Sequence, residues 1–313
     1  MIGATTRARR RWQLARYWQA RGDLTEAGRH ARHAVRLAGH RPAPPPLVAE
    51  ILLTAAEVHR DLADYPTAAT YWAEAAALLD RTAAVPDRDR LLVRALTGLG
   101  DAHRRAGEHP TASAVLDRAT ALATDLVAAD PMLSAAALTV AGIVAKETGA
   151  FDTAQRYYAQ VDQLLDRATA GPAETATLAH NLAGLAYARG DADTAVREAE
   201  RAVTLRAGTG SELDLAQDRA VLAAALAAAG RPAAALPHLD RALTASRSAR
   251  PVRDYEVSVQ LHTRASIRHD LGDRLGAERD YRASLATRRR LLGPDHPEVA
   301  LVAHNLAVLL DGR

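Results

Sequence analysis

Two histidines of this chain have the spacing of metal ligands. His30 and His33 stand three residues apart in a stretch that is predicted to be helical, so both imidazoles would lie on the same face of the helix. A zinc site needs more ligands than two. The 313-residue chain has no cysteine, and no carboxylate obviously completes the set. We therefore expect no metal site and interpret the pair as packed or solvated side chains.

Motifs for catalysis and for phosphate binding are missing from the sequence. There is no GxxxxGK[ST], no GxGxxG after a strand, no HExxH and no GxSxG. The stretch GTGSE at 208–212 lies in a predicted linker and lacks the lysine of a phosphate loop. We expect no cofactor and a chain that is not an enzyme.

A repeated turn is the strongest signal in the sequence. Its spacings are 41, 44, 42, 41, 40 and 42 residues, and its positions are Gly22, Ala63, Gly107, Gly149, Gly190, Gly230 and Gly272. A small residue stands five residues after every turn and another stands seven residues before it. A fixed period of this length predicts stacked supersecondary units. The residue at 63 breaks the glycine pattern, which predicts a loss of stability or a turn displaced by one residue.

Each unit has the pattern of helix, turn, helix. Small residues beside the turn let two antiparallel helices approach closely. Helix breakers separate the units: PAPPP at 42–46, then Pro86, Pro131, Gly171–Pro172, Arg250–Pro251 and Gly293–Pro294. We expect one array over 1–313 with seven units and a terminal helix, at about 6–41, 46–82, 88–125, 131–168, 172–207, 212–248, 252–292 and 295–311. That terminal half unit is either a capping helix or the cut end of a longer array, and both readings stay open.

The second helices carry a bulky residue followed by a small one. The bulky place holds Trp72, Leu116, Tyr158, Leu239 and Tyr281, and the small place holds Ala34, Ala75, Ala119, Ala202 and Ala242. With these features the chain resembles the tetratricopeptide repeat family. Its long unit and the stretch LLGPDHPEVALVAHNLAVLL at 291–310 are similar to the kinesin-light-chain type of repeat. The resemblance implies an all-α, right-handed α-solenoid of about seven and a half helix-turn-helix repeats of about 42 residues.

The resemblance also implies a concave groove that is lined by the first helix of each unit and holds a peptide or protein segment. Residues ten, nine, six and three before each turn should face it. The candidate contacts are Trp12, Arg16, Arg60, Arg104, Lys146, His180, Asn181, Tyr187, His262, His269, His304 and Asn305.

Two features of this set predict what it would bind. Asn181 and Asn305 are the only asparagines in the chain, and both lie in the tetrapeptide HNLA. An amide both donates and accepts, so it can hold a ligand backbone, although HNLA is also a well-fitting helix consensus. The basic side chains of the first four units form a line that favours an acidic ligand. Glu57 and Asp101 on the same helices offer internal partners instead.

Charge along the chain is uneven. Residues 1–41 hold ten arginines against Asp23 and Glu26, a net charge of +8, whereas the whole chain has +3. Such a surface attracts acidic partners or simply solvates the first unit. No apolar run reaches the length of a membrane helix, and the N-terminus has no apolar signal region. We therefore expect a cytoplasmic chain that does not insert into membranes.

These observations predict a non-enzymatic interaction scaffold that binds a protein or peptide partner. The arginines favour a partner that is acidic. The alternative is a ligand-sensing or regulatory module of a bacterial signalling or transcription system. Nucleic-acid binding through the basic first unit is less favoured, because few aromatic side chains accompany the charge. The sequence leaves the oligomeric state open.

Overall fold

The computed structural model describes residues 3–39, 43–82, 85–209, 212–249 and 254–311. Pro42 of the first breaker, the Arg250–Pro251 breaker and part of the GTGSE stretch lie outside the described residues. Within the described ranges there are fifteen α-helices and no strand. The prediction of an all-α chain made of consecutive helical hairpins is confirmed.

The chain divides into two compact units, Met1–Thr148 and Gly149–Arg313. The first unit contains α1 (Ala4–Ala20), α2 (Leu24–Gly39), α3 (Pro45–Asp61), α4 (Tyr65–Arg81), α5 (Arg88–Arg105), α6 (His109–Leu126) and α7 (Pro131–Glu147). The second contains α8 (Phe151–Arg167), α9 (Pro172–Ala188), α10 (Ala192–Arg206), α11 (Glu212–Ala228), α12 (Pro232–Ser248), α13 (Asp254–Asp270), α14 (Arg274–Leu292) and α15 (Pro297–Asp311).

The turn residues adopt a left-handed backbone, which closes the helix before each turn. The values of φ are 76° at Gly22, 60° at Ala63, 77° at Gly107, 80° at Gly149, 79° at Gly190, 72° at Gly230 and 82° at Gly272. The alanine therefore keeps the glycine conformation, and its turn is not displaced. The next helix then begins at an aspartate in several hairpins: Asp64 and Asp191 accept from the backbone N–H three residues on.

Small residues on both sides of the turns form the interfaces of the hairpins that lie within one unit. The residues before the turns are all buried: Ala15, Ala56, Gly100, Gly142, Ala183, Ala223 and Ala265. The residues after the turns are fully buried: Ala27, Ala68, Ala112, Ala154, Ala195, Ala235 and Ala277. The fit is tight, because a Cβ added at Gly100 would lie 2.5 Å from Leu116 of the partner helix. This part of the sequence prediction is confirmed.

The bulky residues of the second helices fill the core beside these contacts. Trp72, Leu116, Tyr158, Leu239 and Tyr281 are each at most 3% exposed. Trp72 packs against α5, where a Cβ at Gly98 would lie 2.2 Å from the indole. That glycine was expected on the groove side from its register, but it makes room for a core side chain.

Candidate binding surfaces

The first helices of successive hairpins form one face of each unit, which we call the first-helix face. In the first unit α1 contacts α3, α3 contacts α5 and α5 contacts α7; in the second, α9 contacts α11, α11 contacts α13 and α13 contacts α15. Second helices make no such contacts with one another among the described residues. Because only the first helices touch their equivalents, each unit is curved toward the first-helix face, which is therefore its concave side.

Hydrogen bonds join neighbouring first helices at two of the predicted groove residues of the first unit. The indole Nε1 of Trp12 donates to Thr54 Oγ1 over 2.8 Å, from α1 to α3. Arg104 Nη1 donates to Glu147 Oε1 over 2.9 Å, from α5 to α7. These two side chains therefore link successive first helices by hydrogen bonds.

The predicted line of positive charge is largely neutralised from within. Arg104 also pairs with Asp101 at 2.8 Å, and its side chain is only 16% exposed. Burial opposes its charge, but Asp101 and Glu147 raise the pKa of Arg104 above its ordinary value. Arg60 pairs with Asp61 at 2.9 Å and keeps a half-exposed side chain.

The two ends of that line differ from its middle. Arg16 is exposed, with its guanidinium 5.3 Å from the Trp12 ring centroid. Lys146 is half-buried, and burial lowers its pKa, with a smaller lowering by Arg104 against the opposite effect of Glu147. Arg16, Arg60, Arg104 and Lys146 therefore do not form a continuous basic line on this face.

A buried ion pair positions His180 in the second unit. Asp218 of α11, 1% exposed, accepts from Nε of Arg206 at 2.9 Å through Oδ2 and contacts His180 Nδ1 at 2.9 Å through Oδ1. Arg206 of α10, 7% exposed, also donates to Ala173 O and Thr177 Oγ1 of α9.

This network fixes the tautomer of the imidazole. Since an ionised carboxylate only accepts, the Nδ1 of His180 carries a proton. The opposite ring nitrogen has no hydrogen-bond partner among the described residues, and the side chain is 27% exposed. His180 therefore presents a nitrogen of fixed orientation on the first-helix face. Neither Asp218 nor Arg206 was predicted. The available sequence signal was helical spacing from apolar positions that are buried: Arg206 stands four residues after Ala202, and Asp218 stands three residues after Leu215.

The expectation that the amide of Asn181 faces the groove needs correction. Asn181 is 6% exposed, and its Nδ2 donates to Thr177 O one turn back in α9 over 2.9 Å. The Asn181 amide is therefore buried and hydrogen-bonds to the backbone of its own helix instead of a ligand.

The second asparagine binds a neighbouring histidine. Asn305 Nδ2 of α15 lies 2.8 Å from His262 Nε2 of α13. The His262 ring also lies 5.6 Å from the Tyr281 ring. Burial, with a further contribution from Arg288, lowers the pKa of His262 to about 4. The imidazole is therefore neutral at pH 7 and accepts the amide hydrogen.

Three predicted residues are accessible on the first helices of the second unit. Tyr187 on α9 is 49% exposed, His304 on α15 is exposed, and His269 on α13 is half-buried. Between α9 and α13, helix α11 presents short, half-buried side chains at the equivalent positions: Ala220, Val221, Ala224 and Ala227.

The two histidines with ligand spacing do not form a metal site with other described residues. His30 is 5% exposed, and its Nδ1 lies 3.1 Å from Arg11 Nη1. Across the described ranges, no three histidine or acidic side chains are arranged to hold a metal ion. The described helices also include none with the length and apolarity to span a membrane.

The chain has counterparts among known proteins. The tetratricopeptide repeat family model matches residues 254–298. No curated protein matches the chain.

Several solved structures share the fold. A Rap protein complexed with competence and sporulation factor has a TM-score of 0.70 at 17% identity, covering 88% of this chain and 73% of that one. A tetratricopeptide repeat protein from Parabacteroides merdae has a TM-score of 0.59 at 14% identity, covering 97% and 98%. BtubC (BKLC) from P. vanneervenii has a TM-score of 0.54 at 23% identity, covering 71% and 88%.

Fold and repeat pattern define a class of protein, the helical repeat proteins that are built from antiparallel hairpins. Within this class the chain resembles the tetratricopeptide-repeat proteins, whose family model matches residues 254–298, and the predicted resemblance is confirmed. Its hairpins recur every 40 to 44 residues.

Proposed function

We propose that the chain is an interaction module that binds a protein or peptide segment on its first-helix face and catalyses no reaction. The observation that carries the proposal is that one helix, α9, presents both a tyrosine and an oriented imidazole. Tyr187 is 49% exposed, and His180 is held by its hydrogen bond to Asp218. A half-exposed tyrosine is a frequent anchor of binding energy in protein interfaces.

The neighbouring helix supports this assignment. Along α11 the equivalent positions carry only short side chains such as Ala224 and Ala227. A ligand backbone can therefore approach α11 closely while its side chains contact Tyr187 and His180. The second ring nitrogen of His180 would hydrogen-bond to the backbone of the ligand.

The proposal includes an acidic ligand. Because Arg104 is paired and largely buried, the attraction rests on the net charge of +8 over residues 1–41 and on Arg16, which is exposed on the first-helix face. We also place the protein in the cytoplasm, on the sequence evidence alone.

A regulatory sensor is the second candidate. Its support is the fold shared with the Rap protein whose structure contains competence and sporulation factor. In this version the same face binds an effector, and binding changes the curvature of the array. Small-angle scattering with and without the captured partner distinguishes the scaffold from the sensor. A scaffold keeps its dimensions when the partner binds, whereas a sensor changes them.

The test is a pull-down with the full chain followed by affinity measurement on the captured partner. Tyr187→Ser should weaken binding about ten-fold or more. The matched control is Leu275→Ser, because Leu275 is 76% exposed on the second helix α14. Loss of affinity in the Leu275 variant with an unchanged Tyr187 variant would place the site on the opposite face and refute the proposal. Double-stranded DNA in the same assay tests nucleic-acid binding.

A further inference from the structure

The first hairpin contains a pocket that lies apart from the first-helix face. Its volume is about 450 Å³, and it is lined by Arg7, Arg10, Arg11, Leu14, His33 and Leu37. The α1 residues lie on one stripe of the helix, since they differ by three, four and seven positions. The predicted groove residues of α1, Trp12 and Arg16, belong to a different stripe.

The arginines of this pocket have no counter-ion in the part of the chain that the structure describes. Among the described residues, no carboxylate forms an ion pair with Arg7, Arg10 or Arg11. The carboxylates of this hairpin are engaged elsewhere: Glu26 pairs with Arg29, and Asp23 accepts from the backbone N–H of Glu26. This contrasts with buried arginines elsewhere, such as Arg206, which have acidic partners.

One of the three arginines is held in place. The guanidinium of Arg11 can only donate, so Nδ1 of His30 is the acceptor in their 3.1 Å contact. Burial, then Arg29 and Arg11, lower the pKa of His30, and burial, then Arg11 and Arg36, lower the pKa of His33. Both imidazoles are therefore neutral at pH 7, and the local field is positive.

The pocket combines this positive edge with an apolar wall. Leu14 of α1 and Leu37 of α2 are half-buried and contribute apolar surface between the helices. Simple solvation explains exposed arginines on a flat surface, but a cavity of this size matches those that hold small ligands. Arginines are suited to phosphate and carboxylate groups because their donors match two oxygens at once.

We propose that this pocket binds an amphipathic organic anion. Arg7, Arg10 and Arg11 hold a phosphate or carboxylate group, His33 donates a hydrogen bond, and Leu14 and Leu37 contact an apolar body of several carbons. The inference is independent of the proposed function, because it concerns another stripe of α1 and a ligand of a different kind.

The experiment titrates the full chain with octyl phosphate, octanoate and inorganic phosphate by calorimetry at low salt. We expect one site per chain, with octyl phosphate or octanoate binding at least about ten-fold more tightly than inorganic phosphate. The tighter of the two octyl compounds identifies the head group. Binding at several equivalent sites, or no preference for the octyl chain, overturns the proposal.

Paired variants separate the pocket from general positive charge. Arg7→Gln with Arg10→Gln should weaken octyl-compound binding about ten-fold or more. Arg9→Gln with Arg32→Gln removes the same charge from exposed positions of the same hairpin, and should change it by less than about two-fold. Equal weakening in both double variants would refute the site.

A measurement on the unaltered protein covers the case in which a variant misfolds. Phenylglyoxal modifies exposed arginines, and mass mapping reports each position. Octyl phosphate should slow modification of Arg7 and Arg10 but not that of Arg9 and Arg32. Uniform protection of all four, or of none, contradicts the proposal.

Discussion

Whether a polar side chain of this protein is free to contact a ligand depends on the residues that the neighbouring repeat places beside it. Trp12, Arg104 and His180 were each predicted as ligand contacts, and each forms a hydrogen bond to the next first helix along the array. His180 keeps a second ring nitrogen without a hydrogen-bond partner among the described residues, because Asp218 engages the other. The first-helix positions thus serve repeat stacking as well as binding.

His262 should make the protein less stable in mild acid. Its pKa is about 4 in the folded chain, against about 6.5 when unfolded. Above pH 6.5 both states are neutral; below it the unfolded state takes up the proton first, so stability falls as pH falls toward 4. The loss at pH 5 should be about 2 kcal/mol.

Urea unfolding of the wild type and of His262→Gln at pH 7 and pH 5 measures this effect. Glutamine keeps an acceptor for Asn305 but does not titrate, so the variant should lose less stability between the two pH values. His269→Gln is the control on the same helix. An identical pH dependence in wild type and His262→Gln would contradict the assignment.

At the scale of the element, the turn residue and the two small residues beside it determine each hairpin. Their separation along the chain is twelve residues, from seven before the turn to five after it. Close approach of two backbones and a left-handed turn are requirements that these residues satisfy locally. This is why the hairpins could be predicted without any knowledge of the array.

Ala63→Gly should stabilise the first unit. Ala63 has φ of 60°, a conformation that costs an ordinary residue about 1 kcal/mol relative to glycine. Thermal unfolding should show a higher midpoint for this variant. Gly107→Ala, with φ of 77° at the equivalent turn, should lower it by a similar free energy. Changes of the same sign in both variants would exclude the backbone explanation.

Ala195→Leu should push apart the two helices of one hairpin of the second unit, α9 and α10. Ala195 is fully buried between α9 and α10, so a larger side chain overpacks the interface at a cost of roughly 1–3 kcal/mol. Hydrogen exchange should rise most over residues 172–248, because repeats contact mainly their neighbours. Ala192→Leu, at the half-buried start of α10, is the control. A uniform rise across the chain would contradict modular stability.

At the scale of the whole molecule, net charge is concentrated in the first hairpin. Residues 1–41 have a net charge of +8 in a chain of +3, and such an imbalance acts on the rate of encounter with acidic partners. The accessible aromatic residue of the proposed site, Tyr187, lies in the other compact unit. We therefore assign the electrostatic attraction of an acidic partner to the first hairpin and the contact that anchors the partner to Tyr187.

This division predicts separate kinetic effects on binding of the captured partner. Replacing Arg9, Arg32 and Arg36 by glutamine should slow association with little change in dissociation, and added salt should imitate the loss. Tyr187→Ser should instead speed dissociation. Surface plasmon resonance measures both rates. If the arginine variant alone abolishes binding and Tyr187→Ser has no effect, the first hairpin is the recognition site.

The sequence by itself determined the helices, the turns, the small residues of each hairpin and the resemblance to tetratricopeptide repeats. Each depends on backbone conformation or steric size within about one repeat, and both are legible in residue type. The accessible parts of the candidate site were only partly predicted. Register places Asn181 and Tyr187 on the same helix, but it does not tell that one is 6% exposed and the other 49%.

The tertiary structure decided which polar side chains are free. His180 and Asp218 are 38 residues apart, and Arg104 and Glu147 are 43 apart, so these contacts exist only after neighbouring repeats have stacked. Burial and charge pairing depend on all surrounding helices, whereas a turn depends on its own residues. The same reason explains the basic pocket: its arginines were visible as a charge excess, but only the packing of α1 on α2 places them around Leu14 and Leu37.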